Sequence, residues 1–332
     1  MSSIAVLGGG SWGTTLADLL ARKSESVRLW AYEPEVVDAI NRTHENRYFL
    51  PGFSLAPSLA ACAEATDAVT GASVIVSASP SHAVRAVVRR IAGAVTPGTL
   101  VVSATKGIET ETLALMSAVF AECLPQARFA ALSGPSFALE VCQGQPTAVV
   151  AAALELDTAR DAQRIFATPT FRVYSGQDVV GVELAGALKN VIAIAAGILE
   201  GLGLGHNPRA AVITRGLAEI TRLGIAMGAD PLTFAGLAGM GDLVLTTTGS
   251  LSRNRALGMA LAGGQTLEQY RAAHRSVAEG ANTSRAGVAL GRRLGVELPI
   301  VEKVSEVLFS GKPPREAVTE LMARELKSEQ WR

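Results

Sequence analysis

A lysine and an asparagine interrupt an otherwise apolar stretch, VELAGALKNVIAIAAGILEG (182–201). At helical spacing the neighbours of Lys189 are Val182, Ala185, Gly186, Ile192, Ala193 and Ala196, so no polar face receives it. Burying an unpartnered ammonium is expensive. Burial also moves lysine toward its neutral form, which makes it a usable proton donor and acceptor. A dehydrogenase needs such a group, because hydride transfer at carbon must be matched by a proton at oxygen. The plain alternative is a lysine that snorkels to water, but Asn190 beside it favours a polar pocket.

A second constellation opens the chain. IAVLGGGSWGTTLADLLA contains Gly8-x-Gly10-x-x-Gly13 between a strand-like run and a helix. Gly8 permits the tight turn, Gly10 lets a pyrophosphate approach the backbone, and Gly13 allows helix and strand to pack closely. The free N–H groups and the positive end of the helix then hold the phosphates, so the segment is expected to bind a dinucleotide. The next strand run ends at Ala31, followed by Tyr32 and Glu33, with neither an acid nor an arginine cleanly at the strand end. The choice between NAD and NADP therefore stays open.

Other candidates follow the same sheet-edge logic. Lys106 in TLVVSATKGIETET and Gly134, Pro135 and Ser136 in SGPSFALE stand just beyond the carboxyl ends of buried strands, where open α/β sheets bind ligands. In GMGDLVLTTTGSLSRNRALG, Asp242 lies between glycines, and a run of hydroxyls through Ser252 precedes Arg253, Asn254 and Arg255. Hydroxyls, an amide and guanidinium groups at a helix start suit a phosphate or another oxyanion, and a well-capped exposed helix start is the alternative. Glu279, in SVAEGANTS, reads as a loop carboxylate.

Two rhythms must position these residues. The runs 4–8, 27–31, 74–78, 100–104, 129–132 and 148–153 are strand-sized and apolar, separated by helical stretches such as 14–22, 83–92 and 113–124. That alternation predicts a parallel sheet covered on both faces. From Val179 onward the strands stop, and RAAVITRGLAEITRLGIAMG (209–228) has helical period, with Asn207 expected as its cap and Pro208 at its first position. The expected organisation is a doubly wound α/β dinucleotide-binding domain over 1–177 and an all-helical substrate-binding domain over 178–332.

Composition narrows the function class. Lys+Arg and Asp+Glu balance at 30 each, which leaves no net field to draw the protein onto nucleic acid or acidic lipid. Cys62, Cys123 and Cys142 form no CxxC pair, and the four histidines show no metal-ligand spacing, so neither a disulfide framework nor a metal is expected. The opening segment has no signal-peptide pattern, and Val191–Leu199 is too short to span a bilayer. A cytoplasmic protein acting on a small molecule is the expectation, with the apolar helical half suited to a homodimer.

Taken in series, these blocks resemble the bacterial-type NAD(P)-dependent glycerol-3-phosphate dehydrogenases. The resemblance covers almost the whole chain and rests on GGGSWGTTLA, FLPG (49–52), SPSHAVR (79–85), ATKGIE (104–109), SGPSFA (133–138), FRVYS (171–175), LKNVIAIAAGI (188–198), ITRGLAEITRLG (213–224), GMGDLVLT (239–246), SRNRALG (252–258) and VAEG (277–280). It implies a Rossmann-type domain followed by a helical domain of the 6-phosphogluconate-dehydrogenase-like kind. It also implies reduction of dihydroxyacetone phosphate to sn-glycerol 3-phosphate for phospholipid synthesis, with NADH or NADPH. By resemblance, Lys189 is the catalytic acid/base, and Lys106, Gly134, Ser136, Asp242, Ser252, Arg253 and Asn254 surround the substrate. Gly8, Gly10, Ser11, Trp12, Gly13, Lys106, Ala138, Arg253, Val277 and Glu279 contact the cofactor, with Tyr32 at its adenosine end. A keto-acid or β-hydroxyacid reductase of the same architecture is the alternative reading.

Overall fold

The computed structural model describes residues 3–23, 26–275, 278–326 and 328–329. Its strands are β1 (Ser3–Leu7), β2 (Ser26–Trp30), β3 (Ala60–Cys62), β4 (Val74–Ser77), β5 (Leu100–Ser103), β6 (Arg128–Ser133), β7 (Thr147–Ala152) and β8 (Phe171–Gly176). They form one eight-stranded sheet in the order β3-β2-β1-β4-β5-β6-β7-β8. Every expected apolar run is a strand, to within a residue at each end. The central strands are apolar throughout because helices cover both faces. Ile4, Val6, Val74 and Val76 pack with Leu16 and Leu20 on one side. Ala5, Leu7 and Ile75 pack with Val84, Val88 and Phe120 on the other.

Two features depart from the expectation. β3 and β8 add edge strands, and β7 runs antiparallel to β6 while β8 is parallel to β7. β3 is only Ala-Ala-Cys, without the β-branched or aromatic residues that mark a strand. β8 alternates buried and exposed side chains in its first four residues instead of running apolar. Between β6 and β7 there is only the short helix Ala138–Cys142 and no full crossover helix, so the chain turns back along the sheet.

The order β3-β2-β1-β4 reverses direction between β1 and β4, and the glycine turn sits at that switch point. Gly8 has φ +122°, and a Cβ there would lie 2.8 Å from the carbonyl of Ala78, which follows β4. A Cβ on Gly13 would come within 1.9 Å of the Gly8 carbonyl oxygen, so only glycine lets the Ser11–Arg22 helix start against the strand end.

After β8 the chain is helical. Asp178 caps the Val179–Gly201 helix by accepting from the Gly181 N–H at 2.8 Å. By length and composition this helix could cross a membrane, yet 94% of its apolar window is buried inside the fold. It is wrapped by the His206–Ala226, Asp242–Thr248, Arg253–Ala262 and Glu279–Leu294 helices. Glycines bring backbone to backbone along this seam: a Cβ on Gly197 would lie 2.0 Å from the Arg255 carbonyl oxygen, and one on Gly258 2.1 Å from that of Ile194. Two local expectations are corrected. The helix after Gly205 starts at His206, which puts Asn207 and Pro208 inside its first turn, where the missing proline N–H costs nothing. Glu279 opens the Glu279–Leu294 helix and is not a loop residue.

The helical part is joined to the sheet by buried polar contacts. Glu183 accepts from Ser117 N–H at 2.8 Å and Ser117 Oγ at 2.5 Å. Burial pushes its carboxyl up to about 7 against those bonds. Replacing Gly258 with Ala forces the two helices of the seam apart and should cost about 1–3 kcal/mol of stability, as overpacked sites do. Urea denaturation is the measurement, and an unchanged midpoint would show that the seam is looser than these distances imply.

Candidate active site

A cleft of about 870 Å³ runs from the glycine turn to the middle of the Val179–Gly201 helix. That is toward the upper end of small-molecule sites, roughly 300–1,000 Å³. At its deep end one carboxylate serves two lysines. Lys189 Nζ donates to Asp242 Oδ1 at 2.6 Å and to Thr246 Oγ at 2.6 Å. Lys106 Nζ donates to Asp242 Oδ2 at 2.7 Å and to the Gly134 carbonyl at 3.1 Å. Asp242 is 1% exposed and Lys189 6%, so this pair is screened from water, whereas Lys106 is half-buried.

Local sequence explains the arrangement. Asp242 starts a helix, where the dipole favours an acid, and Thr246 follows one turn later on the same face. The preceding turn, Leu237–Gly241, closes tightly because a Cβ at Gly239 would lie 2.1 Å from the Phe234 carbonyl oxygen. Lys106 arrives from the loop after β5, and Gly134, at φ +143°, from the loop after β6. Burial, reinforced by the positive charge of Lys106 and opposed by Asp242, lowers the Lys189 pKa to about 7. A lysine ammonium has three donors, and Asp242 and Thr246 use two, leaving one for the cleft that Lys189 lines.

The Arg253–Ala262 helix forms another wall. Ser252 caps it by accepting from the Arg255 N–H at 3.2 Å. Asn254 is fixed from two sides: its Nδ2 donates to Asn190 Oδ1 at 2.9 Å, and its Oδ1 accepts from the Gly280 N–H at 3.0 Å. Arg253 borders the same cleft, and its guanidinium has no hydrogen-bond acceptor or ion-pair partner among the described residues. Glu279 accepts from Ser81 Oγ at 2.7 Å and Ser81 N–H at 3.3 Å, tying the loop after β4 to the helical part. Burial raises its carboxyl above the usual range.

The opposite end fits a dinucleotide. The Ser11–Arg22 helix has no side-chain cap, so its first N–H groups are available, and a Cβ on Gly10 would meet nothing within 4 Å. Trp12 Nε1 is buried without a partner among the described residues. Ser11 Oγ donates to the Phe49 carbonyl at 2.6 Å, and Ala138 begins a short helix across from it on the cleft wall. These residues can hold a nicotinamide dinucleotide, with its phosphates on the glycine turn.

The cleft thus brings together Gly8, Gly10, Ser11, Trp12, Lys106, Ser136, Ala138, Lys189, Ser252, Arg253, Asn254 and Glu279. Gly13 and Gly134 act behind it through backbone packing, and Tyr32 lines its far end. Val277 lies outside the described residues. Three contributors were not singled out from sequence as site residues. Thr246 could have been found from its spacing to Asp242, and Asn190 from its place beside Lys189. Ser81 meets a partner 198 positions away, which no local pattern reveals.

Known proteins are similar to this chain over nearly its full length. Residues 3–159 match the family model for the NAD-dependent glycerol-3-phosphate dehydrogenase N-terminus, and residues 178–319 match the one for the C-terminus. A glycerol-3-phosphate dehydrogenase [NAD(P)+] from Geobacter sulfurreducens is 57% identical over 331 residues, 99% of each chain. The crystal structure of a glycerol-3-phosphate dehydrogenase from Coxiella burnetii superposes with a TM-score of 0.94 at 39% identity, covering 97% of this chain and 99% of that one. A ketopantoate reductase from Ralstonia eutropha has a TM-score of 0.63 at 20% identity, over 96% of this chain and 99% of its own, a likeness of fold alone. With both halves matched in order and close relatives over nearly the full length, this chain belongs to the NAD(P)-dependent glycerol-3-phosphate dehydrogenase family.

Proposed function

We propose that this protein interconverts dihydroxyacetone phosphate and sn-glycerol 3-phosphate with a nicotinamide dinucleotide. The observation that carries the reading is the buried Lys189, held by Asp242 and Thr246 with one donor left for the cleft. A bound reduced nicotinamide supplies the hydride for C2 of the ketone. Lys189 donates its proton to the C2 oxygen, and in the reverse direction neutral Lys189 takes it back. Asp242 holds both lysines in position and balances their charge. Lys106 polarises the oxygen, held in place by the Gly134 carbonyl behind it, while Arg253 and Asn254 grip the phosphate, with Ser136 and Ser252 completing the wall. Ser11, Trp12, Ala138, Val277 and Glu279 contact the cofactor. An isolated keto acid would leave the Arg253 end of the cleft without its dianion, which argues against the reductase alternative.

The reading extends to the cell. Apolar side chains exposed on the helical half, among them Leu232, Met240 and Val244, support a homodimer formed through it. A cytoplasmic enzyme supplying glycerol 3-phosphate for phospholipid synthesis is the role consistent with this substrate.

The direct test is absorbance at 340 nm with dihydroxyacetone phosphate and either reduced cofactor. Oxidation that needs the phosphorylated ketone is expected, whereas turnover of unphosphorylated keto acids alone would overturn the substrate. Lys189→Ala should lower kcat by about 10²–10⁴, the contribution of a positioned acid, and a near-parental kcat removes Lys189 from the chemistry. Because reduction uses protonated Lys189 and its pKa lies at about 7, kcat/KM for the ketone should fall as pH rises through that region. For the alcohol it should rise over the same range, and parallel profiles in the two directions would contradict the assignment. Arg253→Ala should raise the substrate KM by about 10–100-fold, the equivalent of one to two charge-assisted bonds. A KM equal to the parent's would sink the phosphate contact.

A further inference from the structure

The loop after β6 reaches the helical half with an aromatic ring that no step of the reaction uses. Phe137 stands between Ser136 and Ala138, and all three line the cleft. Its backbone is fixed as the cap residue of the Ala138–Cys142 helix, where its carbonyl accepts from the Val141 N–H at 3.1 Å. Its ring lies on Gly249, the residue that ends the Asp242–Thr248 helix. A Cβ on Gly249 would come within 2.4 Å of Phe137 Cε2 and 2.8 Å of Cζ, so the ring occupies space that a side chain there would need. At the start of the same helix the contact is looser, because a Cβ on Gly241 would lie 3.6 Å from Pro135, an ordinary packing distance. The tight contact between the loop and this helix is at Phe137.

What Gly249 holds decides what this contact can do. The Gly249 carbonyl accepts from the Ser252 N–H at 3.3 Å and from Arg255 Nη1 at 3.5 Å. Ser252 in turn caps the helix that starts at Arg253. Glu200, at the end of the Lys189 helix, grips Arg255 from behind through Nε at 2.8 Å and Nη2 at 2.5 Å. The glycine seam fixes the body of the Arg253–Ala262 helix, which leaves its first turn to be placed by residues 249–252. Arg253 sits in that first turn. Tyr270 Oη reaches its carbonyl only at 3.4 Å, and Glu279 attracts its guanidinium without a hydrogen bond. The main chain beneath Arg253 therefore decides where its charge stands.

Resting on the phosphate reading of Arg253 above, we infer that Phe137 is a positioning residue for the substrate phosphate. By holding Gly249 from the sheet side, its ring sets the turn that presents Ser252 and Arg253 to the cleft. Without the ring that turn gains room to shift, and the guanidinium no longer meets the phosphate in one geometry, on which a charge-assisted bond depends. The proton-transfer group has a different anchor. Lys189 is held by Asp242, at the end of its helix remote from Gly249, and by Thr246. Loss of the ring should therefore weaken substrate binding and spare the proton step.

The test is steady-state kinetics of Phe137→Ala with dihydroxyacetone phosphate at saturating reduced cofactor, alone and combined with Arg253→Ala. Phe137→Ala should raise the KM for the ketone by about 5–20-fold, part of what one charge-assisted contact contributes, with kcat within about twofold of the parent's. Phe137→Tyr keeps the ring and should bring KM back to within about twofold of the parent's. In the Arg253→Ala background Phe137→Ala should raise KM no further, because both changes act through one contact. The same fold-increase in both backgrounds, or a fall in kcat at unchanged KM, overturns the inference. So does weaker cofactor binding at unchanged KM, read by tryptophan fluorescence, which would move the ring's role to the cofactor wall. If circular dichroism shows that Phe137→Ala does not fold, Phe137→Leu carries the same comparison. A parent KM that does not respond to Arg253→Ala overturns the inference together with the phosphate reading beneath it.

Discussion

Asp242 holds the active-site end of the molecule together through a shortage of negative charge: one carboxylate meets two ammonium groups in a nearly dry pocket. Lys189 comes from the helical part and Lys106 from the sheet, so the shared carboxylate is also a clasp between them. Its balance is incomplete by design of the geometry. Two cations share one anion, and burial lowers the proton affinity of Lys189, an effect that Asp242 opposes and the positive charge of Lys106 reinforces. Breaking the clasp by removing Asp242 would strand the buried Lys189 cation and leave the half-buried Lys106 without its partner, rather than delete one bond.

Around that centre the two halves divide the work. The sheet supplies loops at the carboxyl ends of β1, β4, β5 and β6, converging where strand order reverses. The helical half supplies rigid walls from long helices packed at backbone distance. The cleft takes walls from both halves, and the polar contacts Ser81–Glu279 and Ser117–Glu183 fasten them together.

Much of this was legible beforehand because the responsible signals are local. The strand runs, the Gly8–Gly13 turn and the lysine in an apolar helix each express a rule spanning a few residues. What escaped depended on tertiary context. β3 lacked strand-forming residues, and the reversal of β7 depends on a connection whose path no periodicity encodes. Glu279 read as an ordinary loop acid because its partner comes from the other half. The burial of Lys189 was legible from its apolar neighbours, whereas the carboxylate that compensates it comes from 53 positions away.

The glycine seam has a consequence for redesign. Where helices meet through side chains, a smaller or larger residue can retune their spacing by tenths of an ångström. The Val179–Gly201 helix meets its neighbours through main-chain atoms at Gly197, Gly258 and Gly280. No rotamer is available there to adjust, so the position of the Lys189 helix behaves as a fixed datum for the domain. The cleft walls are open to engineering, while behind Lys189 adjustment is confined to side-chain contacts such as Ile192 against Gly216 and Leu188 against Gly287.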